Sequence, residues 1–99
     1  MKDVEFANDD LDRLETDPRF DMGLSSAVVK AYRRRLQAIR AAPDERVFYA
    51  MRSWHFEKLK GRRQHQHSMR LNDQFRLLIE MVGAGHAKRI RIVGVEAYH

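Results

Sequence analysis

Residues 56–99 decide the fold: they read FEKLKGRRQHQHSMRLNDQFRLLIEMVGAGHAKRIRIVGVEAYH. Apolar and polar residues alternate in much of this stretch, and two turn sequences, NDQ and GAGH, interrupt the alternation. A period of two indicates half-buried strands, and short breaks rich in Asn, Asp or Gly indicate hairpin loops. The stretch therefore predicts a three-strand meander, with strands near residues 65–71, 75–82 and 88–95.

The loop of the first hairpin determines which side chains share a face. A three-residue loop, 72–74, places Met69 opposite Leu77, so the apolar side chains of both strands face one core. A two-residue loop would place the apolar side chains of the two strands on opposite faces. The three-residue loop is therefore the consistent choice, and it places Arg70 opposite Arg76 on the other face.

Two arginines directly opposite each other destabilise a sheet, because like charges repel. The pair formed by Arg70 and Arg76 therefore indicates a site for an anion. A structural alternative stays open, in which Arg70 pairs with Glu80 on the same face. In the last strand, apolar residues on both sides of Gly94 indicate a β-bulge.

The upstream half of the chain predicts helices that pack behind this sheet. Residues 2–6 alternate as a short strand, Asn8 is suited to cap a helix, and Pro43 is suited to the first position of another. The strongest helix is predicted over residues 26–41, where one stripe is apolar. That stripe consists of Val28, Val29, Tyr32, Leu36 and Ile39. We therefore expect an α+β fold, with an N-terminal strand and helices packed on an antiparallel sheet, in a single domain covering residues 1–99.

Composition favours an anionic partner. The chain has 99 residues with 19 Lys+Arg against 14 Asp+Glu, a formal charge of +5 and a pI near 10. Such a balance favours nucleic acid or an acidic protein as a partner. The sequence contains no cysteine, which excludes disulfides and Cys-ligated metals. No apolar run approaches the ~18 residues of a membrane span, and the acidic start is unlike a leader peptide, so we expect a cytoplasmic protein without a membrane partner.

Basic residues form two clusters with open interpretations. Around Gly61 lie Lys58, Lys60, Arg62 and Arg63, on a segment that is either a soluble turn or a phosphate cradle. The long helix carries Arg33, Arg34, Arg35 and Arg40, which form either a solvated face or a patch that tracks phosphates. The cradle interpretation is better supported around Gly61, because the predicted arginine pair adjoins it.

The aromatic residues and histidines give fewer indications. Trp54 and Phe56 fit the core better than a platform for stacking bases. His65 and His67 are expected to share the Met69 face of the strand, but no third ligand has a suitable spacing, so we expect no metal and no other cofactor. His99 is either a frayed end or an imidazole whose pKa suits proton transfer.

The usual catalytic motifs are missing from the sequence: there is no glycine-rich phosphate loop, no HExxH and no nucleophile elbow. The remaining constellation is a small basic domain with an arginine-lined sheet face and a terminal Tyr-His. Metal-independent RNA cleavage requires such groups. The 2′-hydroxyl needs a base, the phosphorane needs fixed positive charge, and the leaving oxygen needs an acid.

Residues 56–99 resemble the C-terminal half of HigB-type toxins in the RelE/ParE superfamily. The matching pattern is a Leu-Lys-Gly step at 59–61, Arg-hydrophobic-Asn at 70–72, an aromatic-Arg-hydrophobic strand at 75–77 and a final Tyr-His. Upstream, only the order of strand and helices is similar. The combined spacing is fairly specific, whereas no single element is.

The resemblance implies a toxin that cleaves messenger RNA at the ribosome, without a metal, and inhibits translation. It also implies neutralisation by a HigA-like helix-turn-helix antitoxin, with operator DNA bound only through the complex. By position, Arg70 and Arg76 match the family's strand arginines, and Tyr98 and His99 match its terminal pair.

Two departures from the family pattern concern the catalytic base. Family members often have His where this chain has Glu57, and Asp where it has Ala97. The base is therefore either Glu57 or His99, and Glu96, one residue before Ala97, is a further candidate if His99 takes no part. Two other classes stay open: a ParE-like toxin that inhibits gyrase without nuclease chemistry, and a basic nucleic-acid-binding module.

Overall fold

The computed structural model describes residues 3–98. Its elements are β1 (Val4–Phe6), α1 (Asp9–Thr16), α2 (Ser26–Ala41), α3 (Arg46–Ala50), β2 (Glu57–Lys58), β3 (His67–Arg70), β4 (Phe75–Val82) and β5 (Arg89–Ala97). The predicted α+β fold is confirmed. The long helix has the predicted bounds, and the 75–82 strand does too. The predicted strand at 2–6 is seen as β1, although Lys2 lies outside the described residues.

The sheet has five strands in the order β1-β5-β4-β3-β2. The meander β3-β4-β5 is antiparallel as predicted, whereas the N-terminal strand β1 runs parallel to β5, so the five-strand sheet is mixed. A parallel neighbour requires a long crossover connection, and here the three helices and the strands β2, β3 and β4 lie between β1 and β5. The two-residue strand β2, which pairs with β3, was not predicted.

Capping residues fix the ends of the helices. The side chain of Asn8 accepts a hydrogen bond from the Leu11 amide at 3.0 Å, and Ser25 accepts one from the Val28 amide at 3.3 Å. The third helix begins at Arg46 and not at Pro43 as predicted. The carboxylate of Asp44 accepts the Arg46 amide at 2.9 Å, which favours a turn before the helix begins.

The core lies between the helices and one face of the sheet. The predicted stripe of α2 is buried, and Met69, Leu77 and Ile79 of the meander are fully buried against it. Trp54 and Phe56 are buried as well, which confirms the core interpretation of both rings. The β4–β5 turn depends on Gly83, which has a φ of +79°, and a Cβ atom there would lie 2.5 Å from the Ala87 carbonyl oxygen.

Candidate functional site

A bulge in β5 determines which side chains share the face opposite the core, here called the polar face. Leu78 pairs with Gly94 and Ile79 with Ile92, so Val93 is the extra residue of the bulge. Without the bulge, the parity set by Ile92 would turn Glu96 toward the core. With it, Glu96 lies opposite Arg76 on the polar face. The predicted bulge therefore places Glu96 beside Arg76 in the candidate site.

The register of the first hairpin is as predicted. Met69 pairs with Leu77, and Arg70 pairs with Arg76. The alternative prediction, in which Arg70 pairs with Glu80, is wrong. Arg70 forms an ion pair with Asp73, and its Nε donates to the Asn72 carbonyl at 3.3 Å.

Glu80 is engaged elsewhere on the polar face. Its carboxylate lies 3.4 Å from the Arg91 guanidinium and 3.8 Å from Nε2 of His65. The carboxylate that pairs with Arg70 therefore belongs to Asp73, in the loop that follows β3. Asp73 is close to Arg70 because it lies only three residues further along the same turn.

Glu96 joins two arginines from separate elements. Its carboxylate accepts hydrogen bonds from Nη1 and Nη2 of Arg63 at 3.1 and 2.9 Å, and from Nε of Arg76 at 3.0 Å. A further hydrogen bond runs from Nη2 of Arg76. Hydrogen bonds from Arg63 first, and then from Arg76, lower the pKa of Glu96 below its ordinary value. Glu96 is therefore ionised at neutral pH and partly neutralises both guanidinium groups.

A cleft of about 340 Å³ opens beside the arginine pair, lined by His55, Glu57, Arg70, Asp73 and Tyr98. Glu57 is exposed in β2 and pairs with Ser68 of β3, which places it on the polar face. The Tyr98 amide donates to the Gln74 carbonyl at 2.9 Å, and the Tyr98 ring centre lies 5.6 Å from Cζ of Arg76. The structure thus brings Arg70, Arg76, Glu57 and Tyr98 together, while the predicted catalytic residue His99 lies outside the described residues.

The four predicted RNA-binding residues fall into two groups. Lys58 at the end of β2, Lys60 just before the 3₁₀ turn Gly61–Arg63 and Arg62 within that turn are all exposed. Arg63 belongs to the same turn, but its guanidinium is directed to Glu96. One basic residue of the loop is thereby held at the polar face, next to Arg76.

His55 lines the cleft and was not assigned a role from the sequence. Its backbone adopts the left-handed conformation, with φ 45° and ψ 49°, where the chain passes from the 3₁₀ turn Arg52–Trp54 toward β2. No sequence motif includes His55. The only indication in the sequence is that His55 lies between Trp54 and Phe56, whose burial fixes this part of the chain.

His65 and His67 do not share a face of the sheet, contrary to the prediction. The reason is that β3 begins at His67, so His65 lies before the strand. The His67 ring stacks on Phe56 with centres 4.8 Å apart, while His65 lies near Glu80 on the polar face. Among residues 3–98, no three His, Asp or Glu side chains are grouped as a metal site would require.

Most of the arginines of α2 have structural roles that neither interpretation anticipated. Arg33 donates to the carbonyls of Leu14, Asp17 and Phe20 at 2.8–3.2 Å, and so holds the segment after α1. Arg40 pairs with Glu15 at 2.8 Å. Arg34 and Arg40 are both exposed, so the solvated-face interpretation fits these two, although Arg40 also pairs with Glu15.

Arg35 connects the helix to the candidate site. Its guanidinium lies 4.5 Å from the centre of the Trp54 ring and donates to the Arg70 carbonyl oxygen. Burial lowers the pKa of Arg35 to about 10, which leaves it charged at neutral pH. Arg35 therefore fixes the backbone from which the Arg70 side chain extends.

Chemically, the polar face combines fixed positive charge with groups that can exchange protons. Guanidinium groups hold phosphate oxygens in pairs and stay charged at neutral pH. Carboxylates and imidazoles such as Glu57 and His55 can act as general bases when a substrate hydroxyl comes within reach. The arrangement can bind a phosphodiester and act on a neighbouring hydroxyl.

Comparison with solved structures shows the class of fold. The YoeB/ParE toxin from Agrobacterium tumefaciens superposes with a TM-score of 0.64 over 98% of this chain and 99% of that chain, at 15% sequence identity. The fold is therefore that of the RelE/ParE-like toxins.

Sequence comparison shows the family. The family described as RelE-like toxin of type II toxin-antitoxin system HigB matches residues 4–90, and the chain belongs to it. Membership in a type II family implies an antitoxin partner. The match includes Glu57, Arg70 and Arg76 and ends before Glu96 and Tyr98. No curated protein matches the chain. None of the helices described within residues 3–98 has the length and hydrophobicity that a membrane span requires.

Proposed function

We propose that the protein is a cytoplasmic mRNA endonuclease that acts on the translating ribosome and so inhibits translation. The observation that carries this proposal is the cleft in which Glu57, Arg70 and Tyr98 meet, with Arg76 alongside. Membership in the RelE-like family supports it, because ribonuclease activity is general in that family. The single domain of residues 1–99 would carry the whole activity.

The arginines of the polar face supply the positive charge in this proposal. Arg70 and Arg76 bind the scissile phosphate and stabilise the charge that develops on its oxygens. Tyr98 stacks on or orients a base, since readers of RNA hold splayed bases on aromatic rings. Lys58, Lys60, Arg62 and Arg63 bind phosphates of the RNA.

The reaction needs one group that removes a proton and one that returns it. Glu57 or His99 removes the proton of the 2′-hydroxyl, and the 2′-oxygen attacks phosphorus as the bond from phosphorus to the 5′-oxygen breaks. The leaving 5′-oxygen takes a proton from protonated His99 where Glu57 is the base, and from solvent water where His99 is the base. The products are a 2′,3′-cyclic phosphate and a 5′-hydroxyl, and no other reactant is required.

A HigA-like helix-turn-helix antitoxin is the partner proposed for the free toxin. The net charge of +5 favours a partner with an acidic surface, and charge attraction of this kind makes association fast and sensitive to salt. Operator DNA would be bound through the complex and not by the toxin alone.

The proposal is tested by the products of the reaction. Purified protein is incubated with a short message, with and without ribosomes, and the new RNA ends are mapped. The expected result is cleavage in the presence of ribosomes, leaving cyclic phosphate and 5′-hydroxyl ends. A message carrying 2′-O-methyl groups is the matched control and should remain intact. No cleavage of either message would overturn the proposal.

A gyrase-inhibiting activity is the second candidate, favoured by the description of the structurally similar protein as a YoeB/ParE toxin. It predicts inhibition of DNA supercoiling with every message intact. A supercoiling assay on the same protein preparation separates the two functions. Binding of RNA without either effect would instead indicate a non-catalytic nucleic-acid-binding module.

A further inference from the structure

On the polar face, two arginine side chains contact the carboxylate of Glu96 as they would contact a bound anion. Arg63 comes from the loop before β3, Arg76 comes from the middle of the sheet, and both point to Glu96. No backbone pairing joins the loop of Arg63 to β5 among the strand pairs described. Nε of Arg63 also donates to Oε1 of Gln66 at 3.4 Å within its own loop, and the contact through Glu96 is what joins the Arg63 guanidinium to Arg76.

The hydrogen bonds to Glu96 use the best donors of both guanidinium groups. Arg76 directs its Nε and Nη2 edge to the carboxylate, and Arg63 directs its two terminal nitrogens there. Each of these edges is the paired donor set that a guanidinium uses for phosphate. A phosphate can be held in this way only after the carboxylate has left.

The second carboxylate near the arginine pair differs in its surroundings. Asp73, the partner of Arg70, has a side chain that is 87% exposed, whereas the Glu96 side chain is 26% exposed. Exposed ion pairs are weak because water and salt screen them, and enclosed ones are stronger. A phosphate would therefore displace Asp73 at little cost, and Glu96 is the carboxylate that limits access.

We propose that Arg63 and Arg76 form one binding site for a phosphate of RNA, and that Glu96 occupies this site until RNA binds. The inference rests on the proposed function only in taking RNA as the ligand. A phosphate brings two anionic oxygens to donors that already converge, and the Glu96 side chain turns to solvent. The internal carboxylate also discriminates against anions that interact with only one arginine, since those cannot replace both contacts.

The test compares two glutamates of the same face. Glu80→Gln is the matched control for Glu96→Gln, because each removes one negative charge that pairs with arginine, from side chains that are 21% and 26% exposed. The probe is a short RNA with 2′-O-methyl groups throughout, which cannot react through its 2′-oxygens. Binding is therefore measured independently of any nuclease activity, and the thermal midpoint of each variant is recorded.

The expected result is that Glu96→Gln binds the probe about tenfold more tightly than the wild type, because a competing charge pair has been removed. Glu80→Gln should gain less than about twofold, since its effect is only on the general field. Adding Arg63→Ala to Glu96→Gln should remove most of the gain. Equal affinity for the two glutamine variants would overturn the proposal, and so would a gain that survives Arg63→Ala.

A second measurement needs no variant and remains available if Glu96→Gln fails to fold. The carboxyl carbon of Glu96 is titrated by NMR in the wild-type protein, with and without the methylated RNA. Loss of both arginine contacts should raise the pKa of Glu96 when RNA is bound. An unchanged titration at saturating RNA would show that the carboxylate stays in place, which contradicts the proposal whatever the outcome of the ribosome assay.

Discussion

The two faces of β4 carry adjacent residues in opposite surroundings. Leu77 is fully buried and pairs with Met69 inside the core. Arg76, the preceding residue, points to the other face and is held by Glu96. Burial of apolar surface stabilises the first face with little dependence on salt, whereas partly exposed ion pairs contribute little to stability and respond to charged ligands.

The difference implies a division of roles within one sheet. Substitutions on the core face should reduce the free energy of unfolding. Substitutions on the polar face should change binding and cleavage with much smaller effects on stability.

The largest effect is expected at the end of the chain. Removing His99 should reduce ribosome-dependent cleavage by about 10² to 10⁴-fold, which is the usual contribution of one positioned acid or base. Cleavage rates and thermal midpoints are compared for the full chain and for the chain ending at Tyr98. Cleavage at the full rate would leave Glu57 as the base. A large loss of stability would place His99 in the packing of the fold.

A smaller effect is expected where the two faces are connected. Arg35→Ala should reduce the free energy of unfolding by about 1–3 kcal/mol, because it removes a charged hydrogen bond to the Arg70 carbonyl and the contact with Trp54. Arg34→Ala, one position away and exposed, is the control and should change stability by less than about 0.5 kcal/mol. Equal urea midpoints for both variants would remove Arg35 from the support of the site.

The smallest effect concerns His67, at the edge of the core face. Of the buried side-chain nitrogens and oxygens in residues 3–98, Nδ1 of His67 is the one without a hydrogen-bond partner. Burial, and secondarily Lys58, lower the pKa of His67 in the folded protein. The unfolded chain therefore takes up the proton first, and stability should be lost as the pH falls below the ordinary value of about 6.5.

The test for His67 compares urea unfolding at about pH 7.5 and about pH 5.5, on either side of the ordinary histidine pKa. His67→Phe keeps a ring on Phe56 and should lose less stability over this interval than the wild type. His86→Gln, at an exposed turn histidine, should lose as much as the wild type. The same loss in all three proteins would show that His67 does not titrate differently on folding.

The core face was predictable from the sequence, because the spacing of apolar residues along a strand or helix can be read over a few residues. The choice of a three-residue loop followed from the need to keep Met69 and Leu77 on one side, and it fixed Arg70 opposite Arg76. Leu36 and Ile39 were predicted as core in the same way. The parallel position of β1 was not predictable from its pattern, since pairing direction depends on the path of the whole chain.

The polar face was predictable in its residues and not in its contacts. Long side chains reach partners that no local period specifies, so the Arg63–Glu96 contact, across 33 residues, had no signal in the spacing. The position of Glu96 depends on the bulge at Val93; the sequence indicated a bulge near Gly94 but did not fix the face of the residues that follow it. His55 lies in the cleft because its backbone adopts a left-handed conformation. The sequence did not predict this conformation, since the position is not a glycine.

The division between the faces is tested most directly by three alanine variants in which cleavage rate and free energy of unfolding are both measured. Arg76→Ala should reduce ribosome-dependent cleavage by at least about 10²-fold, as loss of a charge-stabilising donor does, and should change stability by less than about 1 kcal/mol. Leu77→Ala should lose about 2–5 kcal/mol of stability. Arg91→Ala, at another arginine of the polar face that pairs with Glu5 and Glu80, should cleave normally. Cleavage at the wild-type rate by a folded Arg76→Ala protein would contradict the assignment of the polar face as the active site.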